Sequence, residues 1–393
     1  MQFELALLPQ IFFGSGQIQN IQMHIRPFGS RVLLVADQQA LKTAQLEENL
    51  IKNSFEYCSL IVKSEPTTDV VDQGVSVGLE FKAEIVIGIG GGSALDAGKA
   101  IAGILTNGGV ASDYMEVVGR GIPIKKPALP YIAIPTTAGT GSEVTKNAVI
   151  LSEKEKYKAS IRSPFLVSKI AIIDPSLTLS VPANVTASTG LDALTQLIEA
   201  YTSNKSQPIT DALAVLGIQK AVNSLEIVYK HGDNLAARED MALASLLSGI
   251  CLANAGLGAV HGFASPLGAS IPHGVACAAL LAAVVDQNIQ SLKAKAPNSP
   301  ALVKYMRLGE LITSKTYRYP AESHRALVQA LRNLTKNLKI PALSKFGLKE
   351  TDIPDLITKV KKSSSIRYNP VELDETALTK ILTEVLQTDK ASR

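Results

Sequence analysis

Between Met241 and Val285 the chain runs for 45 residues without a single Asp, Glu, Lys or Arg. Nothing else in the sequence limits the fold so strongly, because such a stretch must be hidden from water in a bilayer or in a core. A membrane span needs about 20 predominantly apolar residues. MALASLLSGICLANAGLGA approaches that length, but it is rich in Ala, Gly and Ser and carries Asn254. GVACAALLAAVV reads as too short to span. Small residues let helices approach closely, so the run is read as buried core helices and no membrane association is expected. It also holds two of the chain's five histidines, His261 and His273, which in apolar surroundings need hydrogen bonds or a ligand.

The 393 residues suggest two domains. Hydrophobic residues make up 46% and charged residues 19%, which suits extensive burial. The net charge of +4 is mild, and no dense cluster of Lys and Arg with interleaved aromatics occurs, so nucleic acid is not an expected partner. Lys361-Lys362 reads as a solvated helix face. Cys58, Cys251 and Cys277 form no CxxC spacing, and a sparse, odd count suits a reducing compartment. The opening MQFELALLPQ has an acid and no basic region, so no secretory leader is expected and a cytoplasmic location is.

The first half alternates β-rich runs with helical ones. RVLLVAD (31–37), FEYCSLIV (55–62), AEIVIGIG (83–90) and YIAIPTT (131–137) read as strands, with DVVDQGVSVGLEF and SALDAGKAIAGIL as helices between them. That rhythm predicts a parallel α/β sheet. NAVILSE and YKASIRS predict an antiparallel pair. From about Ala183 onward helical periodicity takes over. The chain therefore divides into an α/β dinucleotide-binding domain, residues 1–181, and a helical domain, residues 182–393.

Two glycine-rich loops follow predicted strands. In IGIGGGSALDAGKA the amides at a helix start, stripped of side chains by glycine, suit a phosphate. The helix is expected to begin at Ser93 with Asp96 closing a capping box. In PTTAGTGSEVT, Gly139 and Gly141 mix with the hydroxyls of Thr136, Thr137, Thr140, Ser142 and Thr145. Thr140 and Glu143 again have capping-box spacing. Ligands bind at the C-terminal ends of strands in open α/β sheets. Asp37, closing RVLLVAD, suits a ribose diol, although it could equally cap the next helix. Together these features point to a dinucleotide.

In TGLDALTQLIEAY, Leu194, Leu197, Ile198 and Tyr201 share one helix face, and Asp192, Thr195, Gln196 and Glu199 share the other. The plain reading is an amphipathic helix wetted on its polar side. However, no Lys or Arg occurs from Leu177 to Asn204, so these carboxylates lack a local partner. Two histidines near glycines, with Pro266 and Pro272 breaking the helices around them, look like a site at a helix junction. Two His and a carboxylate commonly hold a divalent metal with positions left open for substrate. Asp192 is the expected carboxylate, and Gln196, one turn on, a weak neutral oxygen ligand.

GGGSALDAGKA, PTTAGTGSEVT, GLDALTQLIEAY and GAVHGFASPLGASIPHGVA together resemble the iron-containing (group III) alcohol dehydrogenases, and FFGSGQI and SSSIRYNPVEL fit as well. The resemblance runs over nearly the whole chain in order. It implies the dehydroquinate synthase-like architecture of that family: a nucleotide domain, an all-α domain and an active site between them. It implies NAD(P)-dependent hydride transfer between an alcohol and an aldehyde or ketone, and a dimer or larger homo-oligomer. An acid at Asp37 favours NAD over NADP. Gly91, Gly92, Ser93 and Asp96 would hold the pyrophosphate. Thr136, Thr137 and Thr145 would contact the cofactor, and Lys158 would reach its ribose. The metal, Fe²⁺ or Zn²⁺, would lie at Asp192, Gln196, His261 and His273.

Three departures stand out. The family's first ligand histidine is Gln196 here, and an amide oxygen binds such metals less well than imidazole. The residue four after His261, often a further histidine, is Ser265. The interval from His261 to His273 is about two residues short. They keep other readings open: a metal-independent reductase of an oxo acid resembling maleylacetate reductase, a lyase resembling dehydroquinate synthase, or a nucleotide-binding protein without turnover. The lyase needs several cations, which the uncharged run does not offer. No side chain stands out as a general acid or base, and an apolar run of this kind suggests a small aliphatic substrate.

Overall fold

The structure is a computed structural model. It describes every residue except Met1, Leu7, Ala269, Ser392 and Arg393, with the side chains of 388–391 also left aside. The chain forms two compact units. One comprises Leu5–Val181 with Gly232–Ala242, and the other Met1–Glu4, Pro182–His231 and Leu243–Arg393.

The first unit contains β1 (Gln10–Phe13), β2 (Arg31–Ala36), β3 (Glu56–Ile61), β4 (Ile85–Gly90), β5 (Tyr131–Pro135), β6 (Asn147–Ser152), β7 (Tyr157–Arg162) and β8 (Ile170–Ile173). Six of these form one sheet in the order β1-β8-β5-β4-β2-β3, with every pairing parallel. The four strands expected from FEYCSLIV and its counterparts are all in it. QIFF and IAII, the edge strand and its neighbour, are each only four residues long and give no alternation to read.

Along β2 and β4 the side chains alternate between two cores. Leu33, Val35 and Val86 point into one, and Val32, Leu34, Ile85, Ile87 and Ile89 into the other. Helices Thr68–Phe81 and Gly92–Asn107 cover the first face, and Ile21–Ile25, Gln38–Ala44 and Leu46–Lys52 the second. Burial on both sides is why these strands are continuous apolar runs. The chain runs β2 to β3 in one direction, then crosses back over β2 to β4 and continues the other way. The sheet's switch point therefore lies between the C-terminal ends of β2 and β4, where open α/β sheets take their ligands. The predicted antiparallel pair is β6 with β7, Ser152 facing Tyr157.

The second unit is helical. Ala183–Thr202 packs against Pro208–Lys230 and His273–Lys295, and Ala259–Leu267 against His273–Lys295. The reading of GVACAALLAAVV as too short to span needs correction. Its helix continues to Lys295, 23 residues in all, long and apolar enough to cross a membrane. Its most apolar window is nonetheless 78% buried inside the protein, as a core helix is. Leu235–Ala255 and Ala259–Leu267 meet at 101°.

Candidate metal centre and nucleotide loops

At the switch point, Gly90 ends β4 with φ +145°, a conformation side chains resist, and an added Cβ would lie 3.0 Å from the Asp37 Cβ. The next helix begins at Gly92, not at the expected Ser93. Gly91 is its N-cap, and no side chain caps it. The expected capping box does not form because Asp96 faces elsewhere. One of its carboxylate oxygens takes the Ser142 hydroxyl and the other the backbone N–H of Val149, 3.0 Å away. The N-terminal amides are thus left without a side-chain competitor, as a phosphate would require.

The second loop packs on the first. Thr136 N–H donates to the Gly90 carbonyl, and Thr137 and Thr140 stand beside Gly91 and Gly92. The second capping box is also absent: Gly141 is the N-cap of the short turn Ser142–Val144. Thr140 instead accepts the Ser142 N–H at 3.3 Å, while Glu143 is buried, its carboxyl pushed up to about 7 by burial. Thr145 does not face outward. Its hydroxyl accepts from Lys99 Nζ at 3.1 Å, and the same ammonium donates to Ser142 O at 2.7 Å, Ser142 Oγ at 2.9 Å and Asn147 O at 2.7 Å. Lys99 also lies 3.7 Å from Asp96 and is fully buried, so it fastens helix, loop and β6 together. The sequence hint was Asp96 and Lys99 three apart on an otherwise apolar helix. Asp37 caps Gln38–Ala44, its Oδ1 accepting from Gln39 N–H and Ala40 N–H. Lys158 pairs with Glu65 at 2.8 Å.

In the helical unit, the face expected to meet water is buried. Asp192, Thr195, Gln196 and Glu199 are all at most 6% exposed. Buried carboxylates need partners. Glu199 finds two: it accepts from Val260 N–H at 2.6 Å and from His261 Nδ1 at 2.6 Å. It thereby closes the amino end of Ala259–Leu267, where an anion is favoured, and directs the other ring nitrogen inward. The same helix end is held by Asn369, whose Oδ1 accepts from Ala259 N–H at 3.1 Å. This is the use of the NPVEL motif. Pro266 lies inside the last turn of that helix rather than ending it, and Pro272 is the N-cap of His273–Lys295.

Three predicted ligands converge. His261 Nε2 lies 3.3 Å and His273 Nε2 3.7 Å from Asp192 Oδ1. That carboxylate oxygen is buried without a hydrogen bond. Burial would raise the Asp192 carboxyl, but His273 and His261 outweigh it and hold it below its ordinary value. Burial likewise opposes a charged ring at His261, yet Cys277, Asp192 and Glu199 raise it well above its usual range. A buried acid oxygen without a hydrogen bond, facing two imidazole nitrogens at these distances, fits a divalent cation. Gln196 is differently employed: its Nε2 donates to Asp192 Oδ2 at 3.3 Å, and its Oε1 accepts from the Ser248 hydroxyl at 2.8 Å. The sequence reading overlooked Cys277, which joins Asp192, His261 and His273 in a group whose donor atoms all lie within 4.8 Å of one another. Its spacing of four from His273 on one helix was the available signal.

Residues 9–175 match the family model described as iron-containing alcohol dehydrogenase, and residues 186–386 match the C-terminal model of the same family. The chain belongs to the iron-containing alcohol dehydrogenase family. This family member is 36% identical over 382 residues to alcohol dehydrogenase 4 of Saccharomyces cerevisiae, covering 95% of this chain and 96% of the relative. It superposes on a crystal structure of 1,3-propanediol oxidoreductase with a TM-score of 0.90 at 32% identity, covering 98% of this chain and all of that one. A sulfoacetaldehyde reductase from Bifidobacterium kashiwanohense, solved with NAD⁺, gives a TM-score of 0.85 at 28% identity, covering 99% and 100%. In this family member, Ser265 ties its hydroxyl back to the His261 carbonyl at 3.0 Å.

Proposed function

We propose that this enzyme interconverts a small alcohol and its aldehyde or ketone with NAD, using a divalent cation held by Asp192, His261 and His273. The observation that carries this is the buried Asp192 Oδ1, free of hydrogen bonds and facing both imidazoles. A cation there supplies Lewis-acid polarisation of the substrate oxygen, and the nicotinamide supplies the hydride chemistry. Asp192 would offset one of the cation's two charges, and Gln196 steers that carboxylate through its second oxygen. Glu199 fixes the His261 tautomer, a common arrangement behind a ligand histidine.

Gly91, Gly92 and Ser93 present backbone amides to the pyrophosphate, with Thr136 and Thr137 beside them. Asp96 and Thr145 act from behind, holding the loops through Ser142 and Lys99. Asp37 keeps Oδ2 for the ribose diol, since both helix-capping bonds fall on Oδ1, and its charge disfavours the 2′-phosphate of NADP. Lys158 would approach the ribose from its pairing with Glu65. Its free thiols at Cys58, Cys251 and Cys277 suit the cytoplasm, and family resemblance supports a homodimer.

The test is NADH oxidation with a panel of short aldehydes, after chelation and after reloading with Zn²⁺ or Fe²⁺. Turnover is expected only when loaded, and Asp192→Ala should lower kcat/KM by at least about 100-fold. Activity that survives both chelation and Asp192→Ala would replace this reading with the metal-independent reductase.

A further inference from the structure

We propose that Cys277 binds the cation directly as a thiolate, giving this chain an Asp-His-His-Cys centre. The inference rests on the cation site of the preceding section and changes its chemistry.

Cys277 lies one helical turn beyond His273 and is fully buried. Its Sγ is 3.7 Å from His261 Nε2 and 3.7 Å from His273 Nε2. Bonds of about 2.0–2.3 Å place the donor atoms of a tetrahedral site roughly 3.3–3.8 Å apart. The four separations known here are 3.3 Å and 3.7 Å from Asp192 Oδ1 to the two rings, and the two sulfur distances. All are edges of such a tetrahedron. The buried Asp192 Oδ1, lacking a hydrogen bond, is a second and independent sign that a cation belongs among them.

Gln196 explains why a fourth donor is needed. It stands where the resemblance expects a histidine, but its amide N–H is given to Asp192 and its oxygen to Ser248. It offers the centre no donor atom in this arrangement, whereas Cys277 does. On binding, the metal–sulfur bond replaces the S–H bond and the thiol proton passes to solvent. Two negative ligands then balance a dication. A soft sulfur favours Zn²⁺ and its thiophilic relatives over Mn²⁺ or Mg²⁺. Substrate oxygen would add as a fifth neighbour, which zinc accommodates.

Co²⁺ added to the full-length, chelator-stripped protein tests this without reference to turnover. The expected result is one Co²⁺ per chain and an intense thiolate-to-cobalt charge-transfer band in the near ultraviolet. That band should vanish in Cys277→Ser and Cys277→Ala, and persist in Cys251→Ala. Zn²⁺ affinity should fall by at least about 100-fold in Cys277→Ser, more than loss of an indirect neighbour causes. Stoichiometric Co²⁺ uptake with no sulfur band in the wild-type chain would overturn the Cys277 assignment and leave the Asp192, His261 and His273 site standing. Absence of uptake would overturn both. The wild-type spectrum decides the matter even if a variant fails to fold.

Discussion

Glu143 is the clearest single residue with a measurable signature. Burial beside the second glycine loop raises its carboxyl from 4.5 to about 7, against the opposing effects of its own backbone and Lys99. The folded value exceeds the unfolded one, so the folded chain binds the extra proton. Its contribution to stability is complete below about pH 4.5 and is lost as pH rises through about 7. A displacement of this size corresponds to a loss on the order of 3 kcal/mol. Urea unfolding midpoints measured across that window should fall with pH in the wild type and stay flatter in Glu143→Gln. An equal slope in both would show that Glu143 is not the group responsible. Lys99 belongs to the same buried cluster, and neither residue's role could be read from the sequence. Their types and spacing were visible, but apart from Asp96 the partners of Lys99 lie 40 or more residues away in the chain.

Among elements, the helix Ala259–Leu267 shows how a ligand is aimed. Its amino end is held by Glu199 and Asn369, two side chains from segments far apart in sequence. Asn369→Ala should leave Ala259 N–H without its partner and the Asn288 amide with Tyr305 alone of its two acceptors, costing about 1–3 kcal/mol for each buried N–H left unsatisfied. Metal affinity should drop roughly 10-fold as His261 loses its seat, with Asn369→Asp recovering part of it because the acceptor remains. Unchanged metal affinity in Asn369→Ala would separate the clamp from the centre. At this scale much was legible. The apolar runs and helical periods matched the elements, and the approach of Asp192, His261 and His273 to one another was legible as polar groups without a local partner. The capping boxes failed because a spacing rule cannot see that Asp96 prefers Ser142 and Val149. Cys277 has no CxxC partner, and its place in the cluster shows in the sequence only as a spacing of four from His273.

For the whole molecule, two compact units with separate cores imply separate responses to ligands. Zn²⁺ at 100 times its Kd adds about 2.7 kcal/mol to the state that binds it. In hydrogen exchange, the added protection should concentrate in Ala183–Thr202, Ala259–Leu267 and the first turns of His273–Lys295, while β2, β4 and β5 are unaffected by the metal. Equal gains across the sheet would mean that the units open together. The clamp by Asn369 also sets a schedule for biosynthesis. The carboxylate and both imidazoles are translated by residue 273, but the anchor of the His261 helix arrives almost 100 residues later. A nascent chain can therefore hold all its donors and still lack the site's geometry, so cation capture belongs after Asn369 has joined the fold.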